Sequence, residues 1–224
     1  MSSSRRHGWN NISEKPAKAN FTDLTGLAGV ASAIAAAALL LPWTIRLTQT
    51  RLAVVLGTVF VLSLIPFGTL PVAAYVRGIT GDLSVTTLVL LWCALLRPWC
   101  GCAAIGTEHR RVLLVLAALC ALAFYPMALG AGSFDPYRLG YGNPQFMVAL
   151  LVLALLAWFR RFTLVALCIA LATLAWAAGW YESNNLWDYL LDPFVSVYAL
   201  AAIMIFGVKR LSKSRLRNQL LSIP

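Results

Sequence analysis

Residues 146–180 read FMVALLVLALLAWFRRFTLVALCIALATLAWAAGW. Two apolar runs meet at Arg160-Arg161, and neither run carries a polar stripe that water could wet. A soluble helix hides one face and shows the other. These segments have nothing to show, so their natural surroundings are hydrocarbon, and the pair reads as a helical hairpin in a bilayer.

The rest of the chain follows that pattern. Of its 224 residues 60% are hydrophobic and only 12% charged, and the mean hydropathy is +0.78. Ordinary soluble domains are about one quarter charged. Run lengths predict an all-α integral membrane protein with about seven transmembrane helices: Leu24–Trp43, Leu52–Tyr75, Leu83–Leu96, Val112–Leu129, Phe146–Phe159, Thr163–Trp180 and Pro193–Val208. The third and fifth are short for a span and call for a thinned bilayer or burial among neighbours. The third is ended at Leu96 so that Arg97 reaches the interface, rather than extended through Trp99. Residues 1–23 form a polar tail and 209–224 a basic one, flanking a bundle over 24–208.

Charge sets the orientation. The net charge of +10 is gathered in short connections and tails, which suits anionic lipid better than nucleic acid, so no nucleic-acid partner is expected. Arg46, Arg51, Arg97, Arg110, Arg111, Arg160, Arg161 and the C-terminal bases fall on one side under alternating topology, and that side is assigned to the cytoplasm. The other connections hold only Arg77 and Arg138 as bases, with Asp82, Asp135, Glu182, Asp188 and Asp192. The expected topology has the N-terminus outside and the C-terminus inside, in a bacterial inner membrane. Arg5, Arg6, Lys15 and Lys18 before the first span pull against it. The long polar lead, with no small-x-small cleavage site after the apolar run, predicts that no signal peptide is removed. The C-terminal VKRLSKSRLRNQLL is expected on the anionic inner leaflet.

Packing signals are few. Ala28, Ser32 and Ala36, and Gly29, Ala33 and Ala37, give the first span a face of small residues for a neighbouring helix or a second copy. Pro66, Pro71 and Pro126 are expected to bend the outer ends of two helices and open a shallow outward cavity. Trp43, Trp158, Trp180 and Trp187 mark helix ends.

The unusual polar residues lie in two outer connections, 131–146 (AGSFDPYRLGYGNPQF) and 181–192 (YESNNLWDYLLD). Asn143-Pro144 and Asp192-Pro193 read as helix caps, a polar acceptor followed by a proline with no amide to lose. That leaves Asp135, Tyr137, Arg138, Tyr141, Glu182 and Asp188 as a candidate outer-face cluster. In its plainer reading Asp135 and Arg138 pair across a local turn. In its functional reading Arg138 offers its guanidinium fork to a phosphate or carboxylate and the tyrosines bind at the interface. No metal or cofactor is expected: Cys100, Cys102, Glu108 and His109 fall short of a four-ligand zinc pattern. The remaining cysteines, Cys93, Cys120 and Cys168, lie in apolar runs.

No span holds a firmly placed Asp, Glu, Lys or His, which disfavours a proton relay or a transporter or flippase subunit. No G-x-S-x-G, H-E-x-x-H or P-loop pattern occurs. The expected function is a non-catalytic subunit or accessory factor in envelope or lipid metabolism, whose outer loops meet membrane lipid headgroups or another membrane protein. The alternative is a small enzyme acting on a lipid-linked substrate through the outer carboxylates.

Overall fold

The computed structural model describes residues 16–100 and 106–221, which are helical apart from one minimal hairpin and the connecting turns. The expected tail residues 1–15, with Arg5, Arg6 and Lys15, lie outside the described residues, as does Cys102. So do residues 222–224 of the C-terminal tail.

Helix α1 (Pro16–Ala38) starts before Leu24 and stops before Trp43, because Pro42 opens a separate 3-10 turn, Pro42–Arg46. The expected second span, Leu52–Tyr75, is not one helix. It divides into α2 (Gln49–Leu64), paired strands β1 (Pro66–Phe67) and β2 (Leu70–Pro71), and α3 (Val72–Thr80). The cause is local: Ile65, preceding Pro66, is extended at φ −76, ψ 130. Pro66 and Pro71 then face one another in the ladder, where neither has an amide to donate. Gly68, at φ 82, makes the reversal. The prolines break the helix where a bend was expected.

Helix α4 (Val85–Cys100) runs past the expected end at Leu96, with Pro98 in its last turn, and Arg97 is exposed. Gln49 at the start of α2 donates to the Pro98 carbonyl at 2.9 Å, tying the two helix ends together. Helix α5 (Thr107–Ala128) passes unbroken through Pro126. Helices α6 (Pro144–Phe159) and α7 (Thr163–Ala177) form the expected hairpin, turned at Arg161 with φ 64. A five-residue helix, α8 (Leu186–Leu190), lies inside the second polar connection. Helix α9 (Pro193–Leu221) continues through the basic segment without a break at Val208.

Two packing groups result. Helix α1 lies against α2, α3 and α4, while α5 packs on α9, α6 on α7 and α7 on α5; contacts of α4 with α7, α8 and α9 join the groups. Of the small residues of α1, Gly29 and Ser32 are buried, Ala28, Ala33 and Ala36 half-buried and Ala37 exposed; a Cβ on Gly29 would meet Leu88 of α4 at 3.4 Å, an ordinary contact. Thr107–Ala128 and Pro193–Arg210 are long and apolar enough to cross a membrane, with mean hydropathies of 2.0 and 1.4 over 18 residues. Five further apolar helices are shorter. Helix α6 buries only Ala157 fully and leaves Val148, Leu151, Val152, Leu155 and Leu156 exposed.

Candidate functional site

The two polar connections meet. In the first, Asp135 caps the 3-10 turn Pro136–Gly140 by accepting the Tyr137 N–H at 2.9 Å. This replaces the expected pairing with Arg138, since no ion pair joins the two side chains. In the second, Asn185 caps α8 by accepting the Trp187 N–H at 3.0 Å, and its side-chain amide donates to the Tyr137 carbonyl at 2.9 Å. The Trp187 indole N–H donates to the Pro136 carbonyl at 2.9 Å. Gly140 is required at the join, because a Cβ there would stand 1.7 Å from the Asn185 side-chain oxygen.

Asp188 is the electrostatic centre. The Tyr137 hydroxyl donates to it at 3.1 Å, and the Ser183 hydroxyl donates to the same oxygen. Burial, and then the negative charge of Asp188, hold the Tyr137 hydroxyl above its ordinary pKa, so it remains a donor. Tyr141 stands edge-on to Tyr137 at 5.7 Å between ring centres and is exposed. Beneath this layer the Trp187 ring lies between Phe124 of α5 and Phe146 of α6, at 4.5 and 4.7 Å. Trp187, expected only to mark a helix end, is the keystone of the stack.

Of the six candidate residues, Tyr137, Tyr141 and Asp188 are in mutual or chained contact, and Asp135 shapes the turn that presents them. Glu182 is exposed and joins none of these bonds. Arg138 sits beside Tyr137 on the same turn, exposed, and has neither hydrogen bond nor ion pair among the described residues.

Three features had no local signal in the sequence. Asp192 does cap α9, accepting the Val195 N–H at 2.7 Å. Its second oxygen accepts the buried Ser84 N–H, also at 2.7 Å, at the start of α4, 108 residues away. The Tyr181 hydroxyl reaches the Leu83 carbonyl at 2.8 Å, and its ring stacks on Tyr189. Arg77 donates to Asp82 at 2.6 Å and to Asp23 of α1 at 2.8 Å, which removes it from the free outer bases. Both acids favour its charged form and raise its pKa. Gly26 is the close approach here, with a built Cβ 2.3 Å from Asp82 Oδ1.

Below the aromatic layer, α5 and α6 make little direct contact, and α7 packs on both. A cleft of about 500 Å³ runs between them, walled by Leu116, Cys120, Ala149 and Leu153, with Cys168 and Ile169 of α7 as floor. The proline-bent helices were expected to open a cavity outward. Trp187, packed on Phe124 of the unbroken α5, lines this cleft at the end where the two connections join. A second recess, near 580 Å³, lies at the other end of α6 and α7 beside His109, whose Nδ1 is buried without a partner. Among the described residues no three His, Cys, Asp or Glu side chains gather as metal ligands.

Comparison with family models, with curated proteins and with solved structures finds no match to this chain.

Proposed function

We propose that the chain is a seven-crossing protein of a bacterial inner membrane, N-terminus outside and C-terminus cytoplasmic, and that its joined outer loops bind a lipid headgroup without catalysing a reaction on it. Supporting this, if α1, α2, α4, α5, α6, α7 and α9 cross in turn, Arg46, Arg51, Arg97, Arg110, Arg111, Arg160, Arg161 and Lys209 share one side. The short helices cross with local thinning of the bilayer, and the exposed leucines and valines of α6 face lipid. The protein serves as a subunit or accessory factor in envelope or lipid metabolism.

The observation that carries the binding reading is the division of labour among the outer charges. Asp135, Asp188 and Asp192 already accept hydrogen bonds from the chain itself, so they are structural acceptors rather than free acids or bases. Arg138 is left available, and its fork suits phosphate or carboxylate. No observation favours the enzymatic alternative: of its carboxylates Asp135 and Asp188 are those same acceptors, and the exposed Glu182 stands apart from them.

Two measurements test this. A thiol reagent that does not cross membranes should modify Ser133→Cys in intact cells; labelling that requires permeabilised cells overturns the topology. The purified chain should retain anionic phospholipid from its host membrane and lose most of it in Arg138→Ala. Equal retention by that variant sinks the headgroup reading.

A further inference from the structure

We infer that the cleft between α5 and α6 holds one hydrocarbon chain of an anionic lipid taken from the surrounding outer leaflet, while Arg138 holds that lipid's headgroup. The inference deepens the proposed function and rests on its placing of the outer loops at the headgroup level.

The shape comes first. Helices α5 and α6 are each packed on α7 and stand apart from one another, so the gap between them faces whatever surrounds the protein. In a bilayer that is lipid. At about 500 Å³ the cleft falls within the range of sites that take small ligands. Its walls are mostly apolar, with Thr86 as the one hydroxyl among its lining residues, which suits an alkyl chain and offers a polar ligand little to bond.

The indole decides the direction of entry. Trp187 is fixed by three things: its indole N–H on the Pro136 carbonyl, Phe124 on one side and Phe146 on the other. A chain therefore enters between α5 and α6 and ends at the indole.

Charge names the headgroup. Trp187 hangs from the Pro136 carbonyl, so this lining residue of the cleft is bonded to the very turn that carries Arg138 two residues on. The other base of the connections that hold the acidic residues, Arg77, is already paired with two carboxylates. Arg138 is exposed on that turn, and its guanidinium is complementary to the phosphate of a lipid whose chain would lie in the cleft. Tyr141, exposed beside Tyr137, adds a flat amphipathic ring at the same level.

The test uses the full chain in lipid nanodiscs that contain either phosphatidylglycerol or phosphatidylcholine with a diazirine on one acyl chain, and adducts are mapped by mass spectrometry. With phosphatidylglycerol, Cys120, Ala149 and Leu153 should be labelled at least fivefold more than Val148 and Leu151, which share α6 and are 59% and 58% exposed. Ala149→Trp should abolish that excess without changing labelling of Val148 and Leu151. Arg138→Gln should remove the preference for phosphatidylglycerol over phosphatidylcholine. Uniform labelling along α6 would mean a passing lipid annulus and overturn the chain site, leaving the headgroup reading standing. Cleft labelling that is equal for both lipids and indifferent to Arg138→Gln overturns the headgroup assignment and, with it, the proposed function. Absence of cleft adducts, with Cys120 crosslinking to a second polypeptide in intact membranes, overturns the inference in favour of a partner's helix.

Discussion

Arg77 and Arg138 are the two bases of the connections that hold the acidic residues, and they meet opposite fates. Around Arg77 the N-terminal group of helices builds an ionic clasp: Asp23 from α1 and Asp82 beyond α3 close on one guanidinium, and Gly26 lets them approach. Around Arg138 the C-terminal group builds a clasp from neutral donors, caps and rings, in which every nearby carboxylate except the exposed Glu182 is taken by an N–H or O–H of the chain. The first clasp consumes its cation and the second leaves its cation free. Stability and availability are thus separated between two residues of the same type.

The sharpest way to break the comparison is to cut what joins the two clasps. Asp192→Ala strands two amides, Ser84 and Val195, at a side chain that is 5% exposed, and should cost about 3 kcal/mol in denaturant titration of the detergent-solubilised chain. Asp192→Asn keeps one acceptor and should fall near half of that. Next, Gly140→Ala drives a methyl group into Asn185 and should cost about 2 kcal/mol while separating the two outer loops. Trp187 fluorescence, isolated by replacing the other tryptophans, would report that separation; an unchanged spectrum and stability would show that the loops are not held as described.

Tyr137→Phe removes one donor from Asp188 and should cost about 1 kcal/mol at neutral pH. It also carries a pH signature. The folded state holds the Tyr137 proton above the ordinary value of 10, so this stabilisation is whole below about pH 10 and is lost as pH rises beyond it. The variant should therefore lose less stability between pH 9 and 11 than the native chain; parallel curves would contradict the assignment. The smallest effects concern the arginines. Arg77→Ala should cost less than about 1 kcal/mol, with most of the difference erased by high salt because the pair is partly solvated. Arg138→Ala should stay within about 0.5 kcal/mol and show itself only in lipid retention. A larger loss in Arg138→Ala than in Arg77→Ala would reverse the comparison.

What could be read from the chain divides by range. Apolar run length located the long helices, and the pairs Asn143-Pro144 and Asp192-Pro193 are the caps their chemistry suggests. The break at 65–71 was also locally written, in two prolines around a glycine, but a bend and a break use the same residues, and only the pairing of Pro66 with Pro71 distinguishes them. Asp135 was locally ambiguous in the same way: a carboxylate two residues before an amide and three before a guanidinium can serve either. The contacts of Asp188 with Tyr137, Arg77 with Asp23 and Asp192 with Ser84 span 51, 54 and 108 residues. No periodicity or spacing encodes them, so the cluster could be named from composition while its bonding could not.

The double acceptor at Asp192 bears on how the protein is made. Ser84 caps the start of α4 with its own hydroxyl on the Thr87 N–H, but its own amide finds its acceptor only at the threshold of α9. A ribosome delivers α4 long before α9, so the Ser84 amide at the start of α4 waits for this acceptor through the synthesis of every helix between them. The final segment is therefore a closing bolt: until it arrives the start of α4 lacks this acceptor, and a chain truncated ahead of residue 192 should be cut by protease faster than the full chain.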